Sequence, residues 1–447
     1  MDAADADRQF AEGHAHHLAG RLHQAEQIYR AILATNPDHP DALHYLGVIA
    51  LQVGRAPAAV EMIGRSVALA PNSGSLNNLG EALRLTGRLT DAMSCFEKSA
   101  QMSPANADAL ANQGVVLAQQ NRIEEAEAKL RQAIAVNANH AGAWGMLANV
   151  LERSQRTTDA VFAWERAARL APRHVDYRLR LAESLFRSDD VFRAIAEYRQ
   201  AVELVPNEGR IRSRLAILLL AANKQKEALD ESARAIELAP NVASVHGERG
   251  QILERTKQLA QAEEEYRRAI SLDPQNAEQY GAHAGALISM DRYEEAIEQL
   301  KRGQAIAPAD PRFVINLAKV YARAQSPDES LIYARESVRI APHNADSHAA
   351  LAFSLLARGE LEEGFREYEW RWRALDFTTE HAISVNQFGT ARISPGEHCW
   401  FTANKASATP CSFFATFRCC WHDASTLSWK CNTNSPRLSA GCRPHFV

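Results

Sequence analysis

Prolines stand at Pro37, Pro71, Pro104, Pro172, Pro206, Pro240, Pro274, Pro308 and Pro342. Nearly every step between them is 34 residues; one is 33, and one is twice 34, with Ala138 at the skipped place. A fixed period of this size demands one small helical unit copied along the chain. Each unit is too small to bury its own apolar face and must stack on the next. Proline lacks an amide hydrogen and its ring obstructs a helix, so it fixes where each unit's last helix gives way to the next unit.

Counting each proline as position 32 brings out further regularities. Position 20 is alanine from Ala25, Ala59 and Ala92 through to Ala296. Position 8 is small throughout, as in Gly13, Gly47, Gly80, Gly114, Ala148, Gly250 and Ala352. Position 24 is usually large: Tyr29, Phe96, Trp164, Tyr198, Tyr266 and Tyr368. Small residues at 8 and 20 let two antiparallel helices approach closely, and the bulky residue at 24 is expected to fill the gap between neighbouring hairpins.

Taken together these positions closely resemble the tetratricopeptide repeat, over residues 6–378 in about eleven units running from 6–39 and 40–73 to 311–344 and 345–378. Units ten and eleven fit least well, since Ser330 and Gly364 replace the alanine at position 20. The resemblance implies an all-α fold, a right-handed superhelical solenoid of helix-turn-helix repeats. It further implies a concave groove, lined by first helices, that binds protein or peptide segments.

Composition narrows the function. Of the 447 residues 46% are hydrophobic and 23% charged, and the net charge is -4. No basic excess favours nucleic acid, and no apolar run has the length to span a bilayer. The opening MDAADADRQF is acidic rather than basic and apolar, so a cytoplasmic location with neither membrane nor nucleic-acid partner is expected. No Gly-rich phosphate loop, nucleophile elbow or paired His-Glu zinc helix occurs. His14, His16 and His17 have no carboxylate or cysteine to complete a ligand set. No catalytic residue, metal or cofactor is therefore expected.

In the tetratricopeptide family positions 2, 5, 6, 9, 12 and 13 tend to face the groove. Asn78, Asn112 and Asn316 all hold position 6, where an amide can pair with a ligand's backbone. Such asparagine ladders line the superhelix of O-linked N-acetylglucosamine transferases, although only Asn78 and Asn112 are adjacent rungs. Arg180 and Arg214 hold position 6 of consecutive units, with Arg210 at position 2, and with Asn149 and Arg187 flanking. Arginines one turn apart grip a carboxylate or phosphate in bidentate fashion. The set is similar to the carboxylate clamp of chaperone-binding tetratricopeptide domains, departing from it at Gly145, where a lysine belongs, and at Arg180, where an asparagine belongs. An acidic partner segment is the expectation; a solvated basic face balanced by Glu183, Asp189 and Asp190 is the alternative.

Beyond about residue 378 the helical period stops, and 379–447 reads as an irregular tail. Six of the seven cysteines fall there, without the Cys-x-x-Cys spacing of a zinc module. The run Glu363 to Trp372 resembles the close of the repeat array in bacterial tetratricopeptide glycosyltransferase-like proteins. There, a proline-x-tryptophan-x-glycine element and a Glu-Gln-Gly-Leu-Gly-Asp motif follow. Neither is present here. Both return when the codons are read one frame over: Asn386 to Ala391 permits Pro-Val-Trp-Asp-Gly, and Ala403 to Cys411 permits Glu-Gln-Gly-Leu-Gly-Asp-Thr-Leu. Two bases of each shifted codon are dictated by the protein itself. The expectation is a frameshift between Trp372 and Asn386 that removed a catalytic domain, a disordered tail with cysteines of no function, and a last hairpin whose uncovered apolar face leaves self-association open. Trp370 and Trp372 are expected to pack the end of that hairpin.

Overall fold

A computed structural model describes residues 3–370. The tail readings, with Trp372 and the C-terminal cysteines, lie outside the described residues. Among those described the chain is all α-helix: 22 helices and no strand. It divides after Met290 into two compact units.

The first unit holds α1 (Ala3–Leu18), α2 (Leu22–Thr35), α3 (Pro40–Gln52), α4 (Ala56–Leu69), α5 (Ser73–Leu85) and α6 (Leu89–Met102). It continues with α7 (Ala107–Gln119), α8 (Ile123–Val136), α9 (Ala141–Arg153), α10 (Thr157–Leu170), α11 (Val175–Arg187) and α12 (Val191–Leu204). It closes with α13 (Gly209–Ala221), α14 (Gln225–Leu238), α15 (Ala243–Arg255), α16 (Leu259–Leu272) and α17 (Ala277–Ser289). From α1 to α16 each odd-numbered helix pairs with the following even-numbered one as a hairpin, each hairpin packs on the next, and α17 packs on α16. The second unit holds α18 (Tyr293–Ile306), α19 (Pro311–Arg323), α20 (Pro327–Ile340), α21 (Ala345–Ala357) and α22 (Leu361–Tyr368). Within it α19 pairs with α20 and α21 with α22.

A tight contact lies inside the hairpins that carry glycine at position 8. A Cβ added to Gly80 would stand 2.6 Å from the Phe96 ring, one on Gly250 2.6 Å from Tyr266, and one on Gly114 2.7 Å from Leu130. The bulky residue at position 24 therefore fills the space over position 8 of its own hairpin, in addition to the expected gap between neighbouring hairpins. It also reaches the next hairpin, where Trp164 lies against Tyr177 with ring centroids 5.9 Å apart and Tyr29 against Tyr45 at 6.1 Å. The position-20 alanines from Ala25 to Ala296 are fully buried. One apolar core runs unbroken from Ala111 to Ile252 across successive hairpins.

Turns and caps repeat with the same period. Gly20, Gly54, Gly87 and Gly359 have positive φ at the turn between the two helices, and Asn121, Gln155, Asp189, Asn223, Lys257 and Gln325 take up the same conformation without being glycine. At the turn between units, side chains cap the next helix: the amide of Ser75 donates to Asn72 at 2.8 Å and that of Arg312 to Asp310 at 2.9 Å. The residue at position 4 then ties back to the carbonyl at position 32. Trp144 donates to Ala138 at 2.9 Å, Arg178 to Pro172 at 3.0 Å and Tyr280 to Pro274 at 3.2 Å. Arg178 and Arg212 each also reach a glutamate on the second helix of their hairpin, Glu197 at 2.9 Å and Glu231 at 2.8 Å.

The two hairpins with a changed position 20 are accommodated rather than weakly packed. Ser330 is buried, but its hydroxyl lies 2.9 Å from the Ala318 carbonyl and 2.8 Å from the Ser354 hydroxyl, so the Ser330 hydroxyl is not stranded. Gly364 faces Leu356, which would stand 2.8 Å from a Cβ there. Trp370 stacks on His348 with centroids 3.8 Å apart, as expected of the last hairpin's end.

Gly80→Ala measures the tight contact. Alanine gains about 1 kcal/mol of helix propensity over glycine, but overpacking a rigid, fully buried ring costs about 1–3 kcal/mol. The variant is expected to unfold at lower urea, and the added substitution Phe96→Leu to recover part of the loss. An unchanged midpoint in Gly80→Ala would mean the hairpin has slack at this place.

Candidate peptide-binding face

The candidate residues of the first unit fall on first helices, and side-chain bonds link those helices across consecutive hairpins. Asn78 on α5 places its amide nitrogen 2.9 Å from His44 Nε2 on α3. Asn112 on α7 donates to Asn77 Oδ1 on α5 at 3.1 Å. Glu152 on α9 accepts from both Ser184 and Arg187 on α11. Glu248 on α15 accepts from Ser213 and, at 3.1 Å, from Arg214 on α13. The result is a polar ladder across the first-helix face.

Burial holds the His44 imidazole below the usual histidine range, with Asp41 opposing the shift. The neutral ring can then accept from the Asn78 amide. Both position-6 amides thus spend their nitrogens on the neighbouring repeat. The Oδ1 atoms of Asn78 and Asn112 take no hydrogen bond among the described residues. Asn149 is exposed and donates to the Gly145 carbonyl at 3.2 Å. Asn316, half-buried on α19 in the second unit, makes no hydrogen bond among the described residues.

The arginines gather more closely. Arg180, Arg214, Glu183 and Glu248 all act on the buried Tyr198 hydroxyl, whose pKa is pushed up to about 12, first by burial and then by Glu183. Arg180 lies 3.5 Å from Glu183 and Arg187 is 3.2 Å from Ser184. Arg210 is exposed and has no ion pair among the described residues. The carboxylates facing these arginines are therefore Glu152, Glu183 and Glu248. Asp189 and Asp190 do not balance the face as the sequence suggests: Asp189 holds the turn at φ 65°, and Asp190 caps α12 through the Arg193 amide at 3.2 Å.

Gly145 shows why a lysine does not stand at the first place of the clamp. A Cβ there would lie 2.9 Å from the Tyr177 ring and 3.2 Å from Trp164, so aromatic side chains already occupy the space. A cavity of about 360 Å³ lies among α12, α13 and α14, with Glu227 and Glu231 in its wall and none of the candidate residues lining it. Glu231 is held there by Arg212 and Arg234, at 2.8 Å and 2.9 Å. The carboxylate rungs Glu152 and Glu248 do not stand out in the sequence, because they hold different positions, 12 and 6, in their repeats.

Two tetratricopeptide-repeat family models match the chain, one at 77–141, 111–175, 146–209, 179–243 and 213–277, the other at 16–81 and 253–320. Together they span well over half of the sequence. The chain belongs to the tetratricopeptide-repeat family. No curated protein matches it. Among solved structures it is similar to yeast Tom70, at 16% identity over 86% of this chain and 95% of that one, with a TM-score of 0.45. It is also similar to TTC0263, a thermophilic TPR protein of Thermus thermophilus, at 26% identity over 40% and 99% of the two chains and a TM-score of 0.37. A third is YrrB, described as a TPR protein with an unusual peptide-binding site, at 23% identity over 40% and 92% and a TM-score of 0.36.

Burial raises the Glu248 carboxyl above the usual range, against the opposing pull of Ser213 and Arg214. A carboxyl with a raised folded-state pKa contributes stability that is present below its unfolded pKa and lost as pH rises through the folded value. Glu248→Gln keeps an acceptor for Ser213 and cannot ionise. It is expected to gain stability relative to the wild type as pH rises from about 4 to about 7. A pH-independent difference between the two urea midpoints would show that ionisation of Glu248 carries no cost.

Proposed function

We propose that the chain is a binding scaffold, acting in the cytoplasm, whose first-helix face in the first unit holds extended, acid-bearing segments of partner proteins. The observation that carries this reading is the arginine group. Arg210 is exposed without an ion pair among the described residues, beside Arg214 on the same helix, and Arg180 and Arg214 hold the same position of consecutive repeats on α11 and α13. Arg180, Arg187 and Arg214 are each more than half exposed; Glu152 and Glu248, which pair with Arg187 and Arg214, are largely buried, whereas the Arg180–Glu183 pair is exposed at both ends and, being screened, is worth about 0–1 kcal/mol. A ligand carboxylate that grips two guanidinium nitrogens at once exchanges with such a pair at little cost. The amide oxygens of Asn78, Asn112 and Asn149 supply acceptors for the ligand's backbone. Membership of a repeat family without a catalytic constellation favours binding over turnover.

The test is the paired substitution Arg210→Glu and Arg214→Glu in the full chain, assayed against a partner captured by the wild type and then identified. Binding is expected to be abolished while the circular dichroism melt stays the same. Unchanged affinity would remove the arginines from the site.

The shifted-frame motifs and the run ending at Trp370 and Trp372 favour a second reading. In it, this array is the substrate-selecting part of a glycosyltransferase whose catalytic domain the frame change removed. The nucleotide sequence encoding Trp372 to Val447 is expected to hold an open shifted frame that continues the motif. Sugar transfer from a nucleotide-sugar donor by the purified chain would overturn the scaffold reading.

A further inference from the structure

Between α7 and α9 the first-helix face opens into a cavity of about 160 Å³, lined by Gly114, Val115, Ala118, Leu130, Met146 and Asn149. The cavity exists because α7 presents the short side chains of Gly114, Val115 and Ala118 there, with Gln119 in the wall at the end of the helix. Gly114 itself must stay small, since a Cβ would meet Leu130 at 2.7 Å. Its rim is polar and held in place. Arg153 donates to the Ala118 carbonyl at 2.6 Å and to Asn121 Oδ1 at 2.9 Å, which fixes its guanidinium over the end of α7. Asn149 uses its amide nitrogen on Gly145, and its oxygen accepts no hydrogen bond among the described residues.

We infer that this cavity is an anchor pocket for one apolar side chain of an extended acidic partner segment, whose carboxylates lie further along over Arg180, Arg210 and Arg214. The inference rests on the scaffold reading above and deepens it. Size sets the anchor: an apolar cavity of about 150 Å³ accepts a ligand the size of benzene, so one leucine, methionine or phenylalanine side chain fits. Charge sets the rest of the segment. The cavity lies one repeat before α11, which carries Arg180, and two before α13, which carries Arg210 and Arg214. Neighbouring helix axes are about 10 Å apart and an extended chain advances about 3.3 Å per residue, so one repeat corresponds to about three residues. The ligand's carboxylates then fall about three to five and about six to eight residues from the anchor. Asn112 and Asn149, on the two helices that form the cavity, supply acceptors for the backbone on either side of it.

The experiment uses fluorescein-labelled synthetic peptides and the full chain, read by fluorescence anisotropy. One peptide carries leucine as anchor with aspartates at those spacings; its control has glycine in place of leucine; both are made in the two chain directions. The leucine peptide is expected to bind at least about tenfold more tightly in one direction, the equivalent of burying one such side chain. Met146→Trp, which fills the cavity from a half-buried position, is expected to erase that difference while leaving the glycine peptide's affinity unchanged. Ala118→Leu fills it from the other helix and serves if the first variant does not fold. Equal affinity of the two peptides for the wild type, or a difference that survives filling, overturns the anchor. If the peptides bind equally and Arg210→Glu with Arg214→Glu abolishes both, the anchor falls and the acidic-segment reading stands. If neither peptide binds the wild type, the acidic-segment reading falls and takes the anchor with it.

Discussion

The close contact between a glycine or alanine at position 8 and the residue at position 24, most often a large one, governs the rest of the structure. Gly80 under Phe96, Gly114 under Leu130 and Gly250 under Tyr266 leave no room for even one further carbon. That closeness sets the separation of the two helices in a hairpin. Because a hairpin buries its remaining apolar surface only against its neighbours, the same separation sets the spacing of first helices along the array. Interiors packed to crystal density do not absorb such a contact elastically, so the repeat is copied with little variation. The regular spacing then brings position 6 of one repeat within hydrogen-bond reach of position 5 of the last, as in Asn112 and Asn77.

On that scaffold the polar face follows a different logic from the core. Apolar positions are fixed by shape, whereas the face is a ladder of exposed or half-buried pairs whose members change from rung to rung. His44 with Asn78 is neutral, Glu152 with Arg187 is charged, and Glu248 keeps its bond to Arg214 although burial resists its ionisation. Where both ends are exposed, as in Arg180 with Glu183, such pairs are screened and add little to stability. Their consequence is preorganisation: guanidinium groups are held near their working places by partners they can give up. The cavity between α7 and α9 is the apolar complement, a place where shape rather than charge selects.

The core was legible in the sequence because its rule concerns residue size at a fixed period. Small at 8 and 20, large at 24 and proline at 32 name the helices and their pairing, and the buried alanines from Ala25 to Ala296 follow directly. What escaped were features in which the position repeats but the residue type does not. Position 4 is Trp144, Arg178, His246 or Tyr280, all donating to the carbonyl six residues earlier, a function set by reach and a polar tip. Lys257 and Gln155 take the left-handed turn that glycine takes elsewhere, so composition did not mark it. The groove candidates were legible as positions but not as partners. That Asn78 and Asn112 bind their neighbours, and that Asp190 caps a helix, depends on side-chain directions across repeats, which periodicity alone does not give.

The central claim is that the first-helix face of the first unit is the binding surface. A photoreactive amino acid placed in the full chain at Asn112, at Arg180 or at Arg214, and separately on second helices at Arg131 or Arg234, tests it most directly. Irradiation in cells is expected to link a common partner protein from the first-helix positions and not from the second-helix ones. Equal labelling from both sets, or labelling from Arg131 and Arg234 alone, would contradict the account.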